Sequence, residues 1–320
     1  MNKKKRAASI YDVAKLAGVS HQTVSRAINN ADNIREETRN RVLDAMAELK
    51  YQPNRAARSL ATSRSKLIGV LTSDAGFFSA AVAVRVDGES EASIENAVNQ
   101  LKELGIEAII VVAPQSKVVD VAKRVDPRLP MVTIDFIDRP DVFSVSIDNY
   151  SGARVATRHL IENGHKKILH IAGPANQYES IERSRGYNDE MVAAGLKPLK
   201  IIQGDWTSQT GFNLGNDLTS KKRDFTAIFA CNDNTALGLL HAFTAKGLRV
   251  PLDVSMVGFD DAPESEFFTP PLTTMHQDFG VVGRRAVALL FEEIAGVPNI
   301  RREQVLPTLT VRKSVAKLAD

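Results

Sequence analysis

Residues Leu67 to Ser90 read LIGVLTSDAGFFSAAVAVRVDGES. The run LIGVLT (67–72) has the apolar, β-branched character of a strand buried on both faces, and AVAVRV (81–86) reads as the next one. Two neighbouring parallel strands need a return connection of a dozen or more residues, usually a helix. Only the eight residues SDAGFFSA (73–80) lie between these two runs. The spacing therefore predicts a parallel α/β sheet from which one crossover helix is missing.

Downstream, short apolar runs alternate with amphipathic segments, as in parallel sheets covered by helices on both faces. The strands are EAIIVVA, MVTID, SVSID, KKILHIAG, KIIQGD, AIFACND, VSMVGFDD and TTMHQD. Helical periodicity marks SIENAVNQLKEL, NYSGARVATRHLIENG, IERSRGYNDEMVAAG, DNTALGLLHAFTAKG and FGVVGRRAVALLFEEIAG. Polar residues gather just after the strands: Asp135, Asp148, Asp205, Trp206, Asn232, Asp233, Asp260, Asp261, Gln277 and Asp278. Ligands of open α/β sheets bind at the carboxyl ends of the strands, so these residues are expected to converge on one crevice. Asp, Asn, Gln and Arg around a single Trp suit a neutral polyhydroxylated ring, with carboxylates accepting from hydroxyls and the indole covering C–H groups.

Other chemistries lack their signatures. Neither G-x-x-x-x-G-K-[ST] nor a strand-linked G-x-G-x-x-G is present, and there is no G-x-S-x-G elbow. Six scattered His and the lone Cys231 offer no metal-ligand spacing and no disulfide framework within one chain. The expectation is a binding protein without catalytic residues, metal or cofactor. The start MNKKKR is not followed by an apolar signal core, and no run approaches the length of a membrane span. A cytoplasmic protein that avoids membranes is expected.

Charge separates the two ends of the chain. Met1 to Lys66 hold 14 Lys and Arg against 6 Asp and Glu, whereas the remainder holds 27 against 32. A basic head on an acidic body points to a polyanion partner for the head. In SIYDVAKLAGVSHQTVSRAIN (9–29), Ser9 and Asp12 have capping-box spacing, Gly18 permits a sharp turn, and Ser20 can cap a second helix, His21 to Asn29. Val13, Leu16 and Ala17 are expected inside, as are Val24 and Ile28. The second helix then presents His21, Gln22, Ser25 and Arg26 to solvent. Gln can pair with adenine, Arg with guanine and His with a base edge, while Thr23 and Ser25 suit phosphates. A third helix, REETRNRVLDAMAELKY, carries Val42, Leu43, Met46 and Leu49 on its inner stripe. Beyond Pro53, NRAARSLATSRS (54–65) is a cationic segment too short to be a stable helix alone. Off DNA it reads as a flexible basic linker, whereas in a minor groove Leu60 could wedge between base steps.

Taken together, IYDVAKLAGVSHQTVSRAIN and ETRNRVLDAMAELKYQPNRAARSLAT resemble the helix-turn-helix and hinge of the LacI/GalR family of bacterial repressors. GDWTSQTGF, CNDNTALG, VSMVGFDD and PPLTTMHQDF are similar to the family's sugar-binding body, to its lactose repressor branch in particular. The resemblance implies a helix-turn-helix head (1–53), a hinge helix (54–66) and a periplasmic-binding-protein-like effector and dimerisation body of two interleaved parallel-sheet subdomains (67–320). It implies DNA contacts from Ser20, His21, Gln22, Thr23, Ser25, Arg26, Asn29, Asn54, Arg55, Ala57 and Leu60. It places Ser73, Asp135, Arg183, Trp206, Asn232, Asp260 and Gln277 around the effector. Individually, Asn232 could instead cap a helix and Trp206 could be core. Arg35 departs from the family, which has a small hydroxyl cap there; Asn33 is the substitute.

In the family, the equivalent of SDAGFFSA opens a long helix before the next strand, so this chain resembles a standard body with a deletion of about 15–20 residues, the size of a crossover. LIGVLT is then expected not to pair in its normal parallel position beside AVAVRV. The implied function is a homodimeric, nucleoid-associated repressor that binds double-stranded operator DNA and releases it on binding a galactoside or related glycoside. Because no apolar heptads follow RKSVAKLAD, a dimer is expected over a tetramer. The alternatives are a ligand-blind DNA-binding protein impaired by the missing helix and a corepressor-requiring regulator of the purine type.

Overall fold

The computed structural model describes residues 8–28, 34–51, 67–72, 82–88, 90–112, 116–135, 139–220 and 222–318. The chain parts into two compact units, Met1–Leu67 and Ile68–Asp320.

In the first unit, α1 (Ile10–Ala17) starts at a complete capping box, with the Ser9 side chain accepting from Asp12 N–H and the Asp12 carboxylate accepting from Ser9 N–H. Gly18 ends it with φ +64°, a left-handed conformation open to glycine without a Cβ penalty. Helix α2 (His21–Ile28) follows, its first turn capped by Ser20, whose hydroxyl accepts from Thr23 N–H at 3.1 Å. Helix α3 (Glu36–Glu48) begins after Arg35, which supplies no side-chain cap; Asn33 lies outside the described residues. Val13, Val24 and Val42 form a core with Ala14, Ala17, Ala27 and Ala45.

Leu16 and Leu43 do not join that core: they are 45% and 47% exposed. The buried seam of α1 is Val13, Ala14 and Ala17, and that of α3 is Val42 and Ala45 with Met46 and Leu49 beside it. At 3.6 residues per turn each leucine sits roughly 100° round from the centre of its seam. The small alanines let the three helices approach closely, which narrows the buried stripe.

Among the described residues, the second unit contains two six-stranded sheets. The first comprises β1 (Ile68–Thr72), β2 (Val82–Arg85), β3 (Ala108–Val112), β4 (Met131–Ile134), β5 (Phe143–Ile147) and β11 (Arg302–Val305), in the order β11-β5-β4-β3-β1-β2, all parallel. Helices α4 (Glu91–Glu103) and α5 (Ser116–Val125) share one apolar cluster with it and α10 (Phe279–Ile294) another. The second sheet comprises β6 (Ile168–Ala172), β7 (Ile202–Gln203), β8 (Ala227–Ala230), β9 (Ser255–Asp260), β10 (Thr273–His276) and β12 (Thr308–Thr310), ordered β12-β10-β9-β8-β6-β7, with only β12 antiparallel. Helices α6 (Asn149–Glu162) and α7 (Tyr178–Ala193) share one of its clusters, α8 (Ser208–Thr219) and α9 (Asp233–Ala245) the other. The sequence pattern marked neither α5, α8, β11 nor β12. The strands β11 and β12 are short and polar enough to escape an apolar-run criterion.

The chain passes between the subdomains three times: after β5 at Asp148, after β10 at Gln277–Asp278, and between β11 and β12 at Leu306–Pro307. The two subdomains are thereby interleaved, and the crossings lie beside the strand ends.

The expected loss of β1–β2 pairing does not occur. Gly69 pairs with Val82 and the parallel register runs to Thr72 opposite Arg85. The return from Thr72 to Val82 covers a three-residue strand offset of about 10 Å and one inter-strand step of about 5 Å. The nine residues 73–81 can reach roughly 30 Å when extended. A crossover helix serves to cover a sheet face; closing the connection needs only chain length. Val86 is nevertheless buried in the α4–α5 cluster, with Val84 packed against it.

Candidate functional site

Four non-glycine residues at strand ends adopt left-handed backbone conformations: Asp135 (φ +86°) after β4, Trp206 (φ +70°) after β7, Asp260 (φ +115°) at the end of β9, and Asp261 (φ +56°). Such conformations cost of order 1–3 kcal/mol each and persist where surrounding structure fixes them, commonly at ligand sites.

Arg183, on α7, is the hub. Its guanidinium is buried and donates from Nε to Asn149 Oδ1 at 2.8 Å and from Nη1 to the Cys231 carbonyl at 2.5 Å. Nη1 also lies 3.5 Å from Asp260 Oδ1. The guanidinium sits 3.7 Å from the Phe259 ring centroid and 5.3 Å from that of Trp206. The Gln277 amide donates to Asp260 Oδ1 at 2.5 Å. Burial raises the Asp260 carboxyl above its ordinary range, against the pull of Arg183 and Gln277.

Trp206 is held at both ends. Its indole N–H donates to Gln177 Oε1 at 2.5 Å, and its carbonyl accepts from Asn232 Nδ2 at 3.1 Å. The ring lies against Gly173, where any Cβ would collide with it. Asn232 also caps α9, its Oδ1 accepting from Thr235 N–H at 2.9 Å. The capping and ligand-cleft readings of Asn232 are therefore compatible. Asp135 is pushed up to about 7 by burial and by the nearby Glu179 carboxylate, with Arg183 opposing.

Arg183, Trp206, Asn232, Asp260 and Gln277 thus form one contiguous array, and Asp135 lies within electrostatic range of it. The wider set of strand-end polar residues does not all converge. Asp148 and Asp278 cap α6 and α10, and Asp205 accepts from Thr207 in a local turn. Asp261 instead pairs with Arg312 at 2.7 Å and lies 3.0 Å from His276. Asp148, Asp205 and Asp278 satisfy the nearest backbone donors first, whereas Asp261 is taken up by distant side chains. Asn149, Gln177, Glu179, Phe259 and Gly173 were not singled out from sequence. Only Gly173, directly after a strand, carried a local signal, since it marks a close approach.

The Cys231 thiol is buried and pushed up to about 11. Among the described residues no group of His, Cys, Asp and Glu could hold a metal ion.

In the first unit, His21, Gln22 and Arg26 are exposed along α2, with Thr23 and Ser25 half-buried. The Thr23 hydroxyl is 2.9 Å from that of Ser20. Tyr11 of α1, which the sequence reading passed over, places its ring 5.2 Å from that of His21 and stays 65% exposed, widening the polar face. Asn29, Asn54, Arg55, Ala57, Leu60 and Ser73 lie outside the described residues.

A capped helix-turn-helix in one unit and a two-subdomain α/β body in the other define the architecture of a transcriptional regulator. Residues 9–54 match the model of the bacterial regulatory proteins of the lacI family, and residues 157–315 that of the periplasmic binding protein-like domain. The chain belongs to the lacI family; it is a DNA-binding transcriptional repressor and not an enzyme.

It is 34% identical to the HTH-type transcriptional repressor PurR of Haemophilus influenzae, over 97% of this chain and 99% of that protein. That alignment runs over 338 positions against the 320 residues of this chain, so the relative carries residues that this chain lacks. Identity to the lactose operon repressor of Escherichia coli K12 is 33%, over 95% of this chain and 89% of that protein. A crystal structure of the lac repressor dimer bound to operator and the anti-inducer ONPF superposes with a TM-score of 0.81 at 31% identity, covering 97% of this chain and all of that one. No helix among the described residues is long and apolar enough to cross a membrane.

Proposed function

We propose that the protein is a homodimeric repressor that holds double-stranded operator DNA and releases it when a neutral sugar, a galactoside or related glycoside, enters the cleft. The array Arg183–Asp260–Gln277 beside the single Trp206 carries this reading. It offers one guanidinium, a carboxylate and amides to hydroxyl groups and an aromatic face to ring C–H groups. Asp135 and Ser73 complete the proposed effector set. The same array touches two of the crossings, through Asn149 and Gln277, so an occupant can favour one arrangement of the subdomains over another. Sugar-induced release then needs only a differential affinity for the two arrangements.

On the DNA side, His21, Gln22 and Arg26 read base edges, and Ser20, Thr23, Ser25 and Asn29 contact the backbone beside them. The head spans residues 1–53. Residues 54–66 act as a hinge in which Asn54, Arg55 and Ala57 approach the DNA and Leu60 enters the minor groove. Two-fold symmetry of the dimer matches a pseudopalindromic operator, and the similar lac repressor structure is a dimer bound to operator.

A second reading, a purine-type corepressor, is favoured by the 34% identity to PurR. Operator affinity measured by fluorescence anisotropy at fixed salt separates the two, with salt held constant because phosphate contacts dominate affinity. A galactoside that lowers affinity supports the sugar reading; a purine that raises it replaces that reading. Tight binding indifferent to both classes would leave a ligand-blind DNA-binding protein.

A further inference from the structure

Away from the effector array, a polar cavity of about 290 Å³ opens between the subdomains. One wall is the β5–β11 face of the first sheet, where parallel pairing sets Ser144 beside Arg302 and Ser146 beside Gln304. The other wall comes from the second subdomain, with Tyr150 of α6 and Tyr178, Glu182 and Arg185 of α7. Residues 178, 182 and 185 recur at helical spacing, so they share one face of α7. Arg183 faces the effector array instead, and no residue of that array lines this cavity.

Two observations indicate a ligand. Ser144 and Ser146 are each 95% buried, yet among the described residues neither hydroxyl has a hydrogen-bond partner, and both line the cavity. Neither hydroxyl is among the fully sealed partnerless atoms, so both are open to the cavity and offer it donor and acceptor capacity that no described residue uses. The carboxylates, in contrast, are engaged: Asp148 caps α6, Glu182 pairs with Arg185, and Glu303 lies 3.6 Å from Arg285. Arg185 also stacks 4.1 Å over the Tyr150 ring, which fixes that aromatic surface. An ionic ligand therefore meets charges that already have partners, whereas unpaired hydroxyls, the Gln304 amide and two phenol rings suit a molecule made of hydroxyls and C–H groups. The volume is at the small end of the roughly 300–1,000 Å³ typical of ligand sites, room for a single ring.

We propose that this cavity is a second binding site, for a small neutral polyol such as a monosaccharide or cyclitol. Because its walls belong to different subdomains beside the Asp148 crossing, an occupant bridges them and favours the arrangement that holds both walls in contact. It is a second input on the same conformational equilibrium, independent of the effector cleft.

The test is calorimetric titration of the full chain with myo-inositol, a neutral ring polyol, and with inorganic phosphate as the ionic counterpart. Variants Ser146→Leu, which fills the cavity, and Gln304→Ala, which removes an exposed amide, are compared with Trp206→Ala in the effector cleft. Myo-inositol is expected to bind the parent chain and Trp206→Ala alike, and to bind both cavity variants about tenfold more weakly, ~1.4 kcal/mol. Should Ser146→Leu fail to fold by circular dichroism, Gln304→Ala decides. Absence of binding to the parent chain, tighter binding of phosphate, or loss in Trp206→Ala with both cavity variants unaffected would each overturn the proposal.

Discussion

The Gln277 amide donates to the Asp260 carboxylate at 2.5 Å, so the second crossing between subdomains is bonded directly to a strand-end residue of the proposed effector cleft. Replacing Gln277 by Leu removes a hydrogen bond to a charged group, worth about 1.5–3 kcal/mol. Urea unfolding should show a loss of that size. Operator anisotropy should show that any effector response shrinks more than basal DNA binding does. A variant with unchanged response would mean that this bond does not carry the coupling.

Arg183→Lys tests whether the guanidinium geometry matters beyond its charge. A lysine cannot reach Asn149, the Cys231 carbonyl and Asp260 together or lie flat over Phe259. We expect a destabilisation of about 1–3 kcal/mol, the cost of leaving buried hydrogen-bond partners unsatisfied while the charge is kept, and a loss of effector binding in calorimetry. Retention of both would show the fork to be dispensable.

Gly173→Ala introduces a Cβ against the indole of Trp206. The ring must move and the hydrogen bond from its N–H to Gln177 must lengthen. Since Trp206 is the chain's single tryptophan, its emission reports the displacement directly. A shifted spectrum with weakened effector binding is expected; an unchanged spectrum would place Trp206 elsewhere.

Asp135, raised to about 7, is mostly neutral near pH 6 and ionised near pH 8. Sugar hydroxyls that donate to it favour the ionised form, so binding releases a proton, and affinity should fall about tenfold from pH 8 to pH 6. Its effect on folding has the opposite slope. A carboxyl raised in the folded state contributes stability below its unfolded value near 4, and that contribution is lost as pH rises through about 7. Asp135→Asn should flatten both profiles. Calorimetry in buffers of different ionisation heat measures the proton release, and unaltered profiles would remove Asp135 from the cleft's titration.

Gln22 and Arg26 stand exposed on α2. If they read base edges, each substitution by alanine should cost about 1–3 kcal/mol on the operator and almost nothing on random duplex DNA. Equal losses on both would make them backbone contacts.

Much of this architecture is local and was legible as residues in order. Ser9, Asp12, Gly18 and Ser20 fix the helix-turn-helix through caps and a left-handed turn whose partners lie within a few positions. Alternating apolar runs and amphipathic helices establish the parallel body, because strand and helix periods are properties of a short window. The family resemblance pointed to Arg183, Trp206, Asn232, Asp260 and Gln277, and the structure brings these five side chains into one array.

What tertiary structure alone decided were long-range relationships. Leu16 and Leu43 turned outward because alanine seams set how closely helices pack, which no single helix specifies. The β1–β2 pair formed because the span to be crossed depends on register between strands, and length rules tied to a covering helix do not measure that span. Asn149 and Gln177 entered the site through partners 34 and 29 positions away. The polar cavity exists only where β5 and β11, far apart in sequence, meet α7. Short-range chemistry selects the elements, whereas the distances between them decide which side chains share a cleft.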